Sequence, residues 1–177
     1  TEERQSLESA CSSAKYTQGP AAYNQCINRQ LRGLASAPRG QDLSGLTKEE
    51  RQSLESACSS AKYTQGPAAY NQCIDRQVSA LATVPRGQDL SGLNTEERRS
   101  LESACSSAKY TQGPAAYNDC ITRQLSALAT APRGYDLSDL NSADRRSLDT
   151  ACSSAKYTQG PAEYNRCISR WMSPPRE

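Results

Sequence analysis

Twelve residues, Ala-Cys-Ser-Ser-Ala-Lys-Tyr-Thr-Gln-Gly-Pro-Ala, occur four times without a change, at 10–21, 57–68, 104–115 and 151–162. The step is 47 residues each time. A fixed period of this length marks a tandem array of one supersecondary unit, and it overrides the one or two domains that 177 residues would otherwise suggest. The repeats divide the chain as 1–46, 47–93, 94–140 and 141–177. The first lacks its helix cap and the last has a shortened second helix.

Large apolar residues are scarce. Leu, Ile and Val total 21 of 177 residues and there is no Phe, so a unit of this size buries too little surface to fold securely alone. Each unit compensates with two cysteines that have fourteen residues between them: Cys11 and Cys26, Cys58 and Cys73, Cys105 and Cys120, Cys152 and Cys167. An even number, strict spacing and a poor core read as a disulfide framework from an oxidising compartment. Zinc fits less well, because the chain has no His and no closely spaced cysteine pair.

The second repeat shows the expected fold. Thr47 is placed as a helix N-cap with Glu50 as its capping-box partner, and Asn94 with Glu97 and Asn141 with Asp144 repeat the pattern. Leu54, Ala57, Cys58 and Ala61 give one apolar face with helical spacing. This first helix is expected to reach about Tyr63 or Thr64. Gly66-Pro67 ends it and opens the next. The second helix is expected to run from Pro67 to Leu81 or Ala82, with Tyr70, Cys73, Ile74, Val78 and Leu81 on its apolar face. Cys58 and Cys73 then stand at equal height in an antiparallel hairpin, roughly 11 Å from the turn. The pairing expected is therefore within each repeat, and each loop closure contributes on the order of 3 kcal/mol.

The connectors carry leucines at fixed places: Leu43 and Leu46, Leu90 and Leu93, Leu137 and Leu140. A flexible tether has no use for them, so they are expected to dock on helices of the same or the next repeat. The fold class is all-α: four disulfide-stapled helical hairpins in tandem, stacked as a short rod or α-solenoid. Trp171 and Met172 break the pattern of the second helix and are expected to cover an exposed end. Thr1 aligns with Lys48, Thr95 and Ser142, so the chain is read as a piece or processed product of something longer, and α-helical fraying is expected where the first cap is missing.

The unit Glu-Ser-Ala-Cys-Ser-Ser-Ala-Lys-Tyr-Thr-Gln-Gly-Pro-Ala-Ala-Tyr-Asn-Gln-Cys, preceded by Asp-Leu-Ser-Gly-Leu, resembles tandem two-helix, two-cysteine repeats of secreted or surface-exposed bacterial proteins. The matching residues are Cys58, Gly66, Pro67, Tyr70 and Cys73 with their copies. The resemblance implies an extracytoplasmic setting and a non-catalytic role. The CHCH fold is a rival that carries two cysteines on each helix, against one here.

Composition narrows function mainly by exclusion. The net charge is +2, with no basic run for nucleic acid and no apolar run long enough to span a membrane. With no His and with cysteines read as bridged, no catalytic residue, metal site or cofactor is assigned. Asp42-Leu43-Ser44-Gly45 lacks the further acidic ligands of a calcium loop. The remaining candidate surface is a repeated Lys-Tyr pair: Lys15-Tyr16, Lys62-Tyr63, Lys109-Tyr110 and Lys156-Tyr157. It reads either as packing, with Tyr23 in the hairpin and Tyr16 over the turn, or as a ladder that binds an envelope glycan or a protein. The expected role is a structural, spacer or self-assembling module, with a multivalent binding module as the alternative. Its partners would be protein, by self-association or through neighbouring modules of the parent chain, or an envelope polymer.

Overall fold

Gly followed by Pro dictates the hairpin. Gly66 adopts φ +95°, a conformation that a side chain disfavours, and Pro67 begins the next helix with its φ already set. The same pair acts at Gly19-Pro20, Gly113-Pro114 and Gly160-Pro161. A computed structural model describes residues 2–38, 41–135 and 137–173. Its helices are α1 (Glu2–Ala10), α2 (Pro20–Ser36), α3 (Lys48–Ser60), α4 (Pro67–Leu81), α5 (Thr95–Ala104), α6 (Pro114–Ala129), α7 (Ser142–Ala151) and α8 (Pro161–Met172). No strand occurs among the described residues.

The protein is a tandem set of disulfide-stapled helical hairpins. Bridges join Cys11–Cys26, Cys58–Cys73, Cys105–Cys120 and Cys152–Cys167, with Cα atoms 5.8 Å apart in each, and no cysteine is free. The register argument from the sequence therefore holds.

The caps follow the sequence and show one graded difference. Thr47 accepts from the Glu50 N–H at 3.1 Å while the Glu50 carboxylate accepts from the Thr47 N–H at 2.9 Å. Asn94 and Glu97 repeat this reciprocal box. Asn141 accepts from the N–H groups of Ala143 and Asp144, and its amide donates to the Asp144 carboxylate. The aspartate is one methylene shorter than glutamate and bonds the cap side chain rather than the cap backbone.

The first helices differ from expectation in their last turn. Residues 14–18, 61–65, 108–112 and 155–159 are wound wider than an α-helix. Gly66 donates to the Ala61 carbonyl, and Gly160 to the Ala155 carbonyl, each at 3.0 Å across five residues. Such π turns leave backbone groups without α-helical partners. Thr17, Thr64 and Thr158 turn their hydroxyls back to the carbonyls of Ser13, Ser60 and Ser154, each at 2.7 Å.

Two compact units make up the chain: Thr1–Val84 with Lys109–Ala116, and Pro85–Ala108 with Tyr117–Glu177. In the first, Leu54, Cys58 and Ile74 form a buried cluster covered by Leu43, Leu46, Tyr70, Cys73 and Val78. In the second, Leu101, Cys105, Tyr117 and Ile121 are covered by Leu90 and Leu93, and Leu148, Cys152, Tyr164 and Ile168 by Leu137 and Leu140. Each connector leucine pair thus docks on the repeat that follows it. Trp171 packs on the core of its own repeat, as does Tyr135.

Candidate functional site

The repeated surface is built on the π turns. The turns of repeats 2, 3 and 4 sit against the first helix of the preceding repeat, whose serine hydroxyls donate to the turn carbonyls. The buried Ser6 hydroxyl donates to the Lys62 carbonyl, and Ser9 to the Tyr63 carbonyl at 3.2 Å. Ser53 donates to the Lys109 carbonyl at 2.5 Å, and Ser100 to the Lys156 carbonyl at 2.6 Å. A second tie comes from the second helix. Gln30 donates to the Gln65 carbonyl at 2.9 Å, Gln77 to the Gln112 carbonyl at 2.9 Å and Gln124 to the Gln159 carbonyl at 3.1 Å. These amides lie so close to Gly66, Gly113 and Gly160 that a Cβ added there would collide with them. Serines inside a helix usually bond their own backbone; here Ser6, Ser53 and Ser100 bond a neighbour's.

The predicted Lys-Tyr pairs lie on these turns, and their burial is unequal. The ammoniums of Lys15, Lys62 and Lys156 each lie between two rings. Lys15 Nζ is 5.3 Å from the Tyr16 centroid and 5.8 Å from that of Tyr23, and Lys62 Nζ is 5.8 Å from Tyr63 and 5.3 Å from Tyr70. Lys109 Nζ is 5.5 Å from Tyr110, and Lys156 Nζ is 5.6 Å from Tyr157 and 5.2 Å from Tyr164. These distances suit cation–π attraction. The outer rings remain exposed: Tyr16 at 77%, Tyr63 at 50%, Tyr110 and Tyr157 at 47%. The inner rings of Tyr70, Tyr117 and Tyr164 join the hairpin cores.

Lys156 is the exception among the lysines, because it is buried. It pairs with Glu96 at 2.5 Å and approaches Asp149 at 3.7 Å. Burial lowers its affinity for the proton, but the Glu96 hydrogen bond and charge, with Tyr164, outweigh this and raise its pKa above the ordinary lysine value. Its ammonium therefore belongs to the packing between α5 and the turn at 155–159.

Sequence reasoning did not single out a buried charged cluster in the second unit. Glu97 Oε1 accepts from Arg133 Nε and from Asn165 Nδ2, both at 2.9 Å, and Oε2 accepts from Arg133 Nη2 at 2.6 Å. Arg133 also donates to the Gly92 carbonyl at 2.7 Å. Burial pushes the Glu97 carboxyl up, yet the bonds from Arg133, Asn165 and the Asn94 backbone hold it below the usual carboxylate range. Beside it Asn94, Glu96, Tyr135, Tyr164 and Ile168 line a cavity of about 310 Å³. The fixed 47-residue step is the signal that could have found the cluster, since it places an Arg after each connector Pro and an Asn after each second-helix Tyr.

The connector aspartates hold backbone. Asp42 accepts from the Ser44 N–H at 2.9 Å and Asp89 from the Ser91 N–H at 2.8 Å, and these contacts with Ser44 and Ser91 lower both carboxyl pKa values. Among the described residues no helix is long and apolar enough to cross a membrane, and no cluster of three potential metal ligands occurs. Four disulfides and the lack of such a helix are compatible with an extracytoplasmic location. No family model matches the chain, and neither a curated protein nor a solved structure matches it.

Proposed function

We propose that the chain is a non-catalytic, extracytoplasmic structural module whose repeats serve to space or display what is joined to them. The observation that carries this reading is the recurrence of one joint. The same Ser and Gln side chains meet the same turn carbonyls at each step from one repeat to the next, and a leucine pair docks beside them. Reused side-chain bonds of this kind fix neighbouring repeats, which a tether would not need. The lack of His and the bridging of all eight cysteines support a role without catalysis. The test is a length series in which one 47-residue repeat is deleted or added, followed by small-angle scattering. A constant increment in maximum dimension per repeat is expected. Dimensions that grow as for a flexible chain would overturn the spacer reading.

End-to-end self-assembly receives less support. Repeat 4 carries Trp171 where the others have the joint glutamine and Thr150 where repeats 1 and 3 have the donors Ser9 and Ser103. Thr150 turns its hydroxyl to the Arg146 carbonyl of its own helix, at 2.8 Å.

The exposed tyrosines support a second reading, a multivalent surface for an envelope glycan or a protein partner. Repeated weak sites gain avidity from fixed spacing. Replacing Tyr16, Tyr63, Tyr110 and Tyr157 by Ala together should abolish binding to cell-envelope fractions while leaving the disulfide-linked fold intact. Unchanged binding would remove this reading.

A further inference from the structure

We propose that repeat 1 carries an open receiving site for a Gln-Asp-Leu-Ser-Gly-Leu segment, the sequence of residues 41–46, leading into α1 from another repeat of this type. The site is a groove of about 440 Å³ lined by Leu7, Tyr23, Ile27, Leu31 and Leu34, with Arg4 at its edge. The three later repeats identify its occupant. On each of them the equivalent groove is filled by a connector leucine pair: Leu43 and Leu46 against Leu54 and Ile74, Leu90 and Leu93 against Leu101 and Ile121, Leu137 and Leu140 against Leu148 and Ile168.

Repeat 1 shows the lack of that occupant at Leu7 and Ile27, while Leu34 and Cys11 deeper in the hairpin stay buried. Leu54, Leu101 and Leu148 are buried, whereas Leu7 is only partly so. Ile74, Ile121 and Ile168 are buried, whereas Ile27 is not. Leu31 is 49% exposed, while its counterparts Val78 and Leu125 are packed against their clusters; Met172, the longer counterpart in repeat 4, extends past its filled groove and is 42% exposed. A polar contact tells the same story independently. Arg51 donates to the Leu43 carbonyl at 3.5 Å and to the Leu46 carbonyl at 3.3 Å, Arg98 to the Leu90 carbonyl at 2.8 Å and Arg145 to the Leu137 carbonyl at 2.8 Å. Arg4, the counterpart in repeat 1, turns instead to Glu8 at 2.9 Å on the exposed side.

The occupant arrives already shaped. In each connector the second leucine N–H bonds the carbonyl of the first, at 3.1 to 3.3 Å, which folds Leu-Ser-x-Leu into a turn. Both leucines then pack on one cluster, and the carbonyl of the first comes within reach of the helix arginine. The three pairs of this chain are seated on its own repeats 2 to 4, so a second copy could fill the groove only by unseating one of them. This inference stands whether or not the array spaces other domains.

The test extends the full oxidised chain at its N-terminus by Gly-Gln-Asp-Leu-Ser-Gly-Leu-Thr, the sequence of residues 40–47. The control carries Ala at both leucines and keeps the threonine cap. Hydrogen exchange is read by mass spectrometry. With the leucines, amides of α1 should exchange about tenfold or more slowly than in the control, and repeat 4 should be unchanged. Leu31→Asp in the groove should erase the difference, and the Cys11–Cys26 bridge keeps that hairpin closed. Equal protection by the two extensions, or protection that survives Leu31→Asp, would overturn the proposal.

Discussion

The Glu97 carboxylate accepts four hydrogen bonds from three residues and has almost no contact with water, so its charge is stabilised by position. Its lowered pKa has a definite consequence for stability. The contribution is fully present above the ordinary glutamate value of about 4.3, and it is lost as pH falls through the folded value. Glu97→Gln should cost roughly 2 kcal/mol at pH 7, since Arg133 and Asn165 lose a charged acceptor. The variant should also lose less stability than the parent between pH 7 and pH 3, as urea denaturation at the two values would show. At Gly113, φ +101° and the Gln77 amide both resist a side chain. Gly113→Ala should cost about 2 kcal/mol, and Gly19→Ala, where φ is +87° but the space is open, about 1 kcal/mol. In the Gln77→Ala background the excess at Gly113 should vanish, which a double-mutant cycle measures. The caps of these helices were legible in the sequence, because capping is local in the chain. The bonds from Arg133 and Asn165 to Glu97 were not, because they join residues 36 and 68 positions away.

At the scale of the element, the hairpin is set by three local devices: a cap, a Gly-Pro turn and a cysteine pair in register. All three could be read from the spacing, and the intra-repeat disulfides followed from helix geometry alone. Replacing Cys58 and Cys73 together by Ser should cost about 3 kcal/mol, measured as a shift in the denaturation midpoint. The π turn was not legible, since Ala-Lys-Tyr-Thr-Gln contains nothing that an ordinary helix end excludes. Its function depends on the neighbour. Widening the turn frees the Lys62 carbonyl, Pro67 leaves that of Tyr63 without a donor and Gln65 ends the helix, and the serines and glutamine of another hairpin take up all three carbonyls. Much of the invariant dodecapeptide thereby acquires a structural duty. Ser13 accepts, Thr17 donates, Lys15 is held between rings and Gly19 reverses the chain. Ser53→Ala should accordingly cost about 1 kcal/mol through the joint with no change in the hairpin's own disulfide.

For the molecule as a whole, stability is distributed over hairpins and joints, so reduction should act unevenly. Repeat 1 has an open groove, and its bridge should be the one whose loss unfolds a hairpin first. Partial reduction with peptide mapping checks this: Cys11 and Cys26 should be the first pair alkylated after mild reductant, and a synchronous loss of all four pairs would refute it. The repeats themselves were plain in the sequence, as was the docking of the connector leucines. Which repeat they dock on was left open, because only packing distinguishes the hairpin behind from the hairpin ahead. The altered residues of repeat 4 bear on heredity as much as on mechanics. Repeats 2 and 3 carry both halves of the joint, so recombination between their near-identical stretches can add or remove whole units without creating a mismatched seam. Repeat 4 keeps the joint serine, Ser147, but carries Trp171 in place of the glutamine and Thr150 in place of the second serine, so an exchange between repeats 2 and 3 would be silent and one that copies Trp171 and Thr150 into them would weaken a joint.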